Sequence, residues 1–114
     1  MTNSCEKGKR GEREFSAFLR AHGFSEARRG QQYSGIEGED VIGLPGYHIE
    51  CKRVERLNIH DAMNQSIRDA NEQIPIVAHR KNRTEWLVTM RAEDFLEART
   101  LHSLHESDLL CMNP

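Results

Sequence analysis

Asp40 and the run Glu50-Cys51-Lys52 hold the residue types that could do chemistry in this 114-residue chain. The residues between them, Val41 to Ile49, read as a short strand, a Leu44-Pro45-Gly46 turn suited to type II geometry, and the start of a second strand. Period-two alternation on that second strand sends Ile49 and Cys51 one way and His48, Glu50 and Lys52 the other. The hairpin can therefore bring the Asp40 carboxylate close to that of Glu50. Two carboxylates a few ångströms apart cannot comfortably both ionise without a cation. A divalent metal resolves the conflict. Mg²⁺ takes oxygen ligands, typically one or two carboxylates with waters and phosphate oxygens. The backbone carbonyl of Cys51 offers another. Lys52 beside such a metal can hold or polarise an attacking water, or offset charge on a pentavalent phosphate. Any half-exposed strand alternates in this way, so the E-x-K spacing alone carries little. Its weight comes from Asp40 ahead of the turn, a glycine-rich loop before it and a basic helix upstream.

The elements that must position these groups follow from periodicity and punctuation. Residues 7–22 predict an amphipathic helix with Phe15, Phe18 and Leu19 on one side, stopped by Gly23. Phe24 to Arg28 is a short polar strand. Gly30 to Gly38 holds three glycines in nine residues and is a loop. Strands follow at Asp40–Gly43 and Tyr47–Arg53. Asn58 caps a helix over 58–73 whose apolar stripe is Ala62, Met63, Ile67 and Ala70. After Pro75, Ile76 to Ala78 is a buried strand, 79–84 a basic turn and Trp86 to Thr89 the return strand. Ala92 to Leu101 is a third helix with Phe95, Leu96 and Leu101 facing inward. Met63, Trp86 and Phe95 read as core. The order α-β-β-β-α-β-β-α predicts an α/β or α+β domain, a mixed central β-sheet flanked by helices. One domain spans 1–114, with loose ends at 1–5 and from about 103, and an acidic C-terminal extension over about 91–114.

Composition bounds the function. No apolar run approaches the roughly 20 residues that span a bilayer. The opening MTNSCEKGKRGERE lacks the apolar core of a signal peptide. Cys5, Cys51 and Cys111 are odd in number and lack CxxC spacing, which fits a reducing cytoplasm better than a disulfide framework. His102, His105 and Cys111 lack the fourth ligand of a zinc site. The net charge of −2 hides an asymmetry. Residues 7–29 carry seven Lys and Arg against three Glu, whereas 93–108 carry one Arg against five acids. That pattern points to a polyanion on one face. Lys7, Lys9, Arg10 and Arg13 are candidate phosphate contacts, with Arg80, Lys81 and Arg83 as a second group. Gln31, Gln32, Tyr33 and Ser34 suit phosphate oxygens in a loop that closes over the substrate. Gln65 could face the site, although an exposed glutamine is the plainer reading. His48 could shuttle protons, although a surface histidine is the plainer reading.

These residues resemble the PD-(D/E)xK nuclease superfamily, with Glu39-Asp40 in place of the Pro-Asp pair and Glu50-Cys51-Lys52 as the ExK. The nearest similarity is to small archaeal-type Holliday junction resolvases and related phage nucleases. It rests on Lys7-Gly8, Glu12-Arg13-Glu14, His22-Gly23-Phe24, Arg28-Arg29, Ile74-Pro75 and Trp86, and it covers roughly 7–90. The resemblance implies a restriction-endonuclease-like core and a DNA endonuclease using Mg²⁺ or Mn²⁺. Asp40 and Glu50 would be direct metal ligands, Glu12 would complete the metal shell, and Lys52 would be the catalytic lysine. Arg13 and one of Arg28 or Arg29 would contact phosphates. Products would carry 5′-phosphate and 3′-hydroxyl ends. A four-way junction as substrate would require a symmetric homodimer. Glu39 departs from the family's usual Pro, and Glu37 and Glu39 crowd the metal site. Three other readings remain open at this level: a nickase or a restriction- or repair-type nuclease, a non-catalytic DNA- or RNA-binding module, and an interaction protein working through its acidic tail.

Overall fold

Phe15 and Leu19 lie one helical turn apart, and they are the large apolar side chains that helix α1, Ser4–Ala21, buries. Gly23 ends α1 as anticipated. At φ +98° it lets Gly23 N–H donate to the Arg20 carbonyl (3.1 Å) and Phe24 N–H to the Leu19 carbonyl (3.0 Å). That pair of bonds satisfies carbonyls the helix would otherwise leave open. The structure, a computed structural model, describes residues 4–30 and 40–112, with the side chains of 4, 5, 105 and 107–112 left aside.

The remaining elements are β1 (Arg28–Arg29), β2 (Val41–Ile42), β3 (Tyr47–Arg53), α2 (Ile59–Asp69), β4 (Ile74–Arg80), β5 (Leu87–Met90) and α3 (Ala92–Met112). The order is α-β-β-β-α-β-β-α, as the sequence predicts, and the fold is α+β with a mixed five-stranded sheet. The strands lie side by side in chain order. Every neighbouring pair is antiparallel except β3 and β4, which are parallel and joined through α2. The Leu44-Pro45-Gly46 turn forms as read: Tyr47 N–H donates to the Leu44 carbonyl (3.3 Å) and Gly46 takes φ +86°.

Alternation assigns the two faces of the sheet. Val41, Ile49, Cys51, Ile76 and Ala78 pack with Phe15 and Leu19 under α1. Val77 packs on the other face with Ala62 and Met63 of α2. Asn58 caps α2 through a bond from Asp61 N–H to its Oδ1 (3.1 Å). Ser66 is fully buried, and its hydroxyl donates to the Ile76 carbonyl (3.0 Å) and reaches the His48 carbonyl (3.4 Å). One hydroxyl thus ties α2 to both parallel strands.

Several sequence expectations shift. The first strand is Arg28–Arg29 rather than Phe24–Arg28, because Ala27 N–H turns back to the Phe24 carbonyl (3.0 Å). His79 and Arg80 belong to β4, which shortens the basic turn. Ile67 is exposed, and so are Phe95, Leu96 and Leu101, which were expected to face inward. Helix α1 packs on one face of the sheet and α2 on the other, and neither core cluster includes a residue of α3. The tail expected to be loose beyond 103 continues as α3 to Met112. Trp86 meets the expectation of core: partly buried, it packs on Phe15 with ring centroids 4.9 Å apart and the planes tilted by 53°. No helix among the described residues is long and apolar enough to cross a membrane.

Gly11 marks the closest approach of α1 to β3. A Cβ built there would sit 2.5 Å from Arg53 Cβ, whereas one at Gly8 meets nothing within 4 Å. Gly11→Val is expected to lower unfolding stability by about 1–3 kcal/mol through overpacking. Gly8→Ala is expected to raise it by roughly 0.5–1 kcal/mol through helix propensity. Urea midpoints of the two variants against the parent check both signs.

Candidate functional site

Asp40 is fixed by three backbone links. Its N–H donates to the Ile49 carbonyl (3.0 Å), its carbonyl accepts from Gly30 N–H (2.9 Å), and its Oδ2 accepts from Cys51 N–H (2.9 Å). Val41 pairs with Ile49, which sets Asp40 across from Glu50 in the antiparallel register. Glu50 is only 1% exposed, on the face that α2 covers. Asp40, Glu50 and Lys52 line one cavity of about 340 Å³ together with Glu12, Lys7 and Gln65. Cys51 lines it as well. Helix α1 brings Glu12 and Lys7, β3 brings Glu50 and Lys52, and α2 brings Gln65.

Burial is the largest cause that raises the Asp40 carboxyl, followed by the facing charge of Glu50; the Cys51 N–H works against both, and Glu12 adds a further push upward. The result is a carboxyl pushed up to about 7. Burial and the carboxylates Asp40, Glu12 and Glu14 push the Cys51 thiol far above its ordinary range, so it stays a neutral packing group. Lys52 Nζ donates to Gln65 Oε1 (3.3 Å), which holds the ammonium in the cavity. Glu12 Oε2 accepts from Arg29 Nε at 2.8 Å.

The donor set fits a hard divalent cation. Glu50 Oε2 is buried with no hydrogen-bond partner, and it belongs to a carboxylate facing a second one. A buried acceptor without a donor costs free energy, and a cation satisfies two such oxygens together. The other Glu50 oxygen, Oε1, lies 3.3 Å from His48 Nε2, whose N–H donates to it. His48, Glu50 and Asp69 place ligand atoms within 4.8 Å of one another, a further set of metal-ligating types that shares Glu50.

The structure brings together Glu12, Asp40, Glu50, Cys51, Lys52 and Lys7 from the sequence reading. Gln65 joins them, which corrects the plainer reading of it as an exposed glutamine. His48 is 3% exposed, not a surface histidine, because α2 covers the face it shares with Glu50. Lys9, Arg10, Arg13, Arg28 and Lys81 are exposed. Arg29 is engaged by Glu12, and Arg80 by the Thr84 carbonyl (2.7 Å) and Glu14 (3.5 Å). Arg80 and Lys81 border a different hollow, with Leu57, Ile59 and Leu87. The loop residues Gln31, Gln32, Tyr33 and Ser34, and Glu37 and Glu39, lie outside the described residues. Sequence reasoning missed Glu14 and Arg53, which pair at 3.1 Å across 39 positions. The one local signal for them was Glu14 within the Glu12-Arg13-Glu14 run. Comparison with protein-family models, with curated proteins and with solved structures finds no match for this chain.

Asp40 generates a pH dependence whose sign is fixed. Its folded value lies above the ordinary 3.8, so between about 4 and about 7 the folded state holds a proton that the unfolded chain releases. Its contribution therefore makes the metal-free protein less stable as pH rises through that window. Asp40→Asn keeps the acceptor for Cys51 N–H and removes the charge. It is expected to raise metal-free stability at pH 8 by about 1 kcal/mol or more and to leave the pH 5 value nearly unchanged. Urea unfolding in EDTA at the two pH values measures this; an equal gain at both would contradict the assignment.

Proposed function

We propose that this chain is a metal-dependent endonuclease that hydrolyses DNA phosphodiester bonds, with a nuclease core of the PD-(D/E)xK kind. The observation that carries the reading is the single cavity shared by Glu12, Asp40, Glu50 and Lys52, in which a facing carboxylate pair leaves one buried oxygen unpaired. Asp40 and Glu50 would hold Mg²⁺ or Mn²⁺, with Glu12 nearby to complete the shell. The cation would supply Lewis-acid stabilisation of the charged phosphorane. Lys52, held by Gln65, donates hydrogen bonds that keep the attacking water or a non-bridging oxygen in place. His48 holds the other oxygen of Glu50 and fixes the carboxylate's orientation. The water oxygen bonds to phosphorus, its proton passes to solvent, the P–O3′ bond breaks, and O3′ takes up a proton. The products carry 5′-phosphate and 3′-hydroxyl ends. Following the resemblance, the substrate is branched DNA and the working form is a homodimer with paired sites. Gel assays on a four-way junction, a flap and a duplex of matched sequence separate this from a nickase or a restriction- or repair-type enzyme.

Lys52→Ala is expected to slow cleavage by about 10²-fold or more, while binding to the same DNA in EDTA stays within about twofold. Turnover at the parental rate in that variant would remove Lys52 from the mechanism. If the parent protein binds DNA yet leaves it intact with both Mg²⁺ and Mn²⁺, the non-catalytic binding module takes the place of the nuclease.

A further inference from the structure

Glu14 is one carboxylate among three guanidinium groups. Arg53 Nε lies 3.1 Å from it, Arg80 Nη1 3.5 Å and Arg10 Nε 3.6 Å. Such a cluster is left with excess positive charge, and Lys7 adds to it. Beside it, Lys7, Arg10, Arg53 and Asn82 line a second hollow of about 190 Å³. That is the space of about six waters, enough for one tetrahedral oxyanion with part of its hydration shell. The Arg53 side chain is nine-tenths buried, and its Nη1 has no hydrogen-bond partner. That nitrogen is sealed from solvent, so Arg53 brings to the hollow its charge and the remaining tenth of its side-chain surface. Glu55 accepts the N–H of Asn82 (3.0 Å), which ties the β4–β5 turn to the segment that follows β3. Gly11, lacking a side chain against Arg53, is what lets α1 bring Lys7 and Arg10 this near to β3.

Lys7 and Arg53 line both this hollow and the cavity of the carboxylate cluster. We infer that the Lys7–Arg10–Arg53–Asn82 hollow is a phosphate subsite that holds the backbone phosphate next to the one at the carboxylate pair. The inference rests on the polynucleotide reading above and deepens it. A substrate must then present at least two linked phosphates, so a polynucleotide is taken and an isolated phosphodiester is not. Arg53 acts here as a rigid donor because Glu14 holds its Nε end, and Arg10 closes the hollow from its exposed side.

The test is read in EDTA, where cleavage plays no part. The probe is a fluorescently labelled single-stranded DNA octamer, intact or with one linkage replaced by a neutral methylphosphonate, the replacement being scanned along the strand. Arg10→Gln and Asn82→Asp, both at exposed positions, are each expected to weaken binding of the intact octamer about five- to tenfold. Arg10→Gln is also expected to lower the salt slope by about 0.7. At one linkage the methylphosphonate should weaken binding to the parent by a similar factor and cost little more in either variant. Circular dichroism of each variant guards against loss of fold. Parental affinity in both variants, a neutral linkage that costs the same in parent and variants, or no binding of the octamer by the parent would overturn the subsite. Linkage-specific interference in a protein that never cleaves would sink the nuclease and keep the subsite. Cleavage in Mg²⁺ with unchanged affinity of both variants would do the reverse.

Discussion

A carboxylate with almost none of its surface in water, Glu50, faces a second, Asp40, across a pair of antiparallel strands, and much of the surrounding structure answers that repulsion. The neighbouring N–H of Cys51 donates to Asp40, the His48 ring donates to Glu50, and the Lys52 amine stands in the same cavity. None of these neutralises both acids. Burial of an ion without full compensation costs several kcal/mol in general. The hydrophobic clusters on the two faces of the sheet have to carry that cost. The cavity therefore gathers negative charge at its floor, with the amines and guanidinium groups of Lys7, Lys52 and Arg53 along its wall.

Helix α1 does two kinds of work. Its apolar side, Phe15 and Leu19, seals one face of the sheet. Its polar side sends Glu12 to the acid cavity and Glu14 into the arginine cluster. The two acids are two residues apart and so diverge on the helix, which lets one element reach both the cavity and the arginine cluster. Shifts of α1 along β3 are resisted at Gly11, where even a methyl group would collide with Arg53.

Local chemistry was the legible part of the sequence. The Leu44-Pro45-Gly46 turn, the Gly23 stop, the Asn58 cap and the shared face of Glu50 and Lys52 each follow from a rule acting over a few residues, and all are present. Alternation assigns His48 to the face of Glu50 but does not say that a helix covers that face, so His48 read as a surface residue and is buried. Gln65 could not be aimed from its position in α2 alone, since its direction depends on how the helix seats on the sheet. Arg53 and Glu14 meet across 39 positions, a pairing that only the tertiary fold creates. The inward side assigned to α3 failed for a related reason: its apolar residues are real, but the two core clusters close around α1 and α2 without them.

Ser66 has a consequence that reaches past its own burial. By bonding to the carbonyls of β3 and β4 it sets the rotation of α2 about its axis, and the adjoining Gln65 inherits that rotation. The amine of Lys52 is thus aimed by a hydroxyl one residue along the helix from its own partner. Whatever occupies the cavity meets a donor whose direction was settled when the helix seated on the sheet.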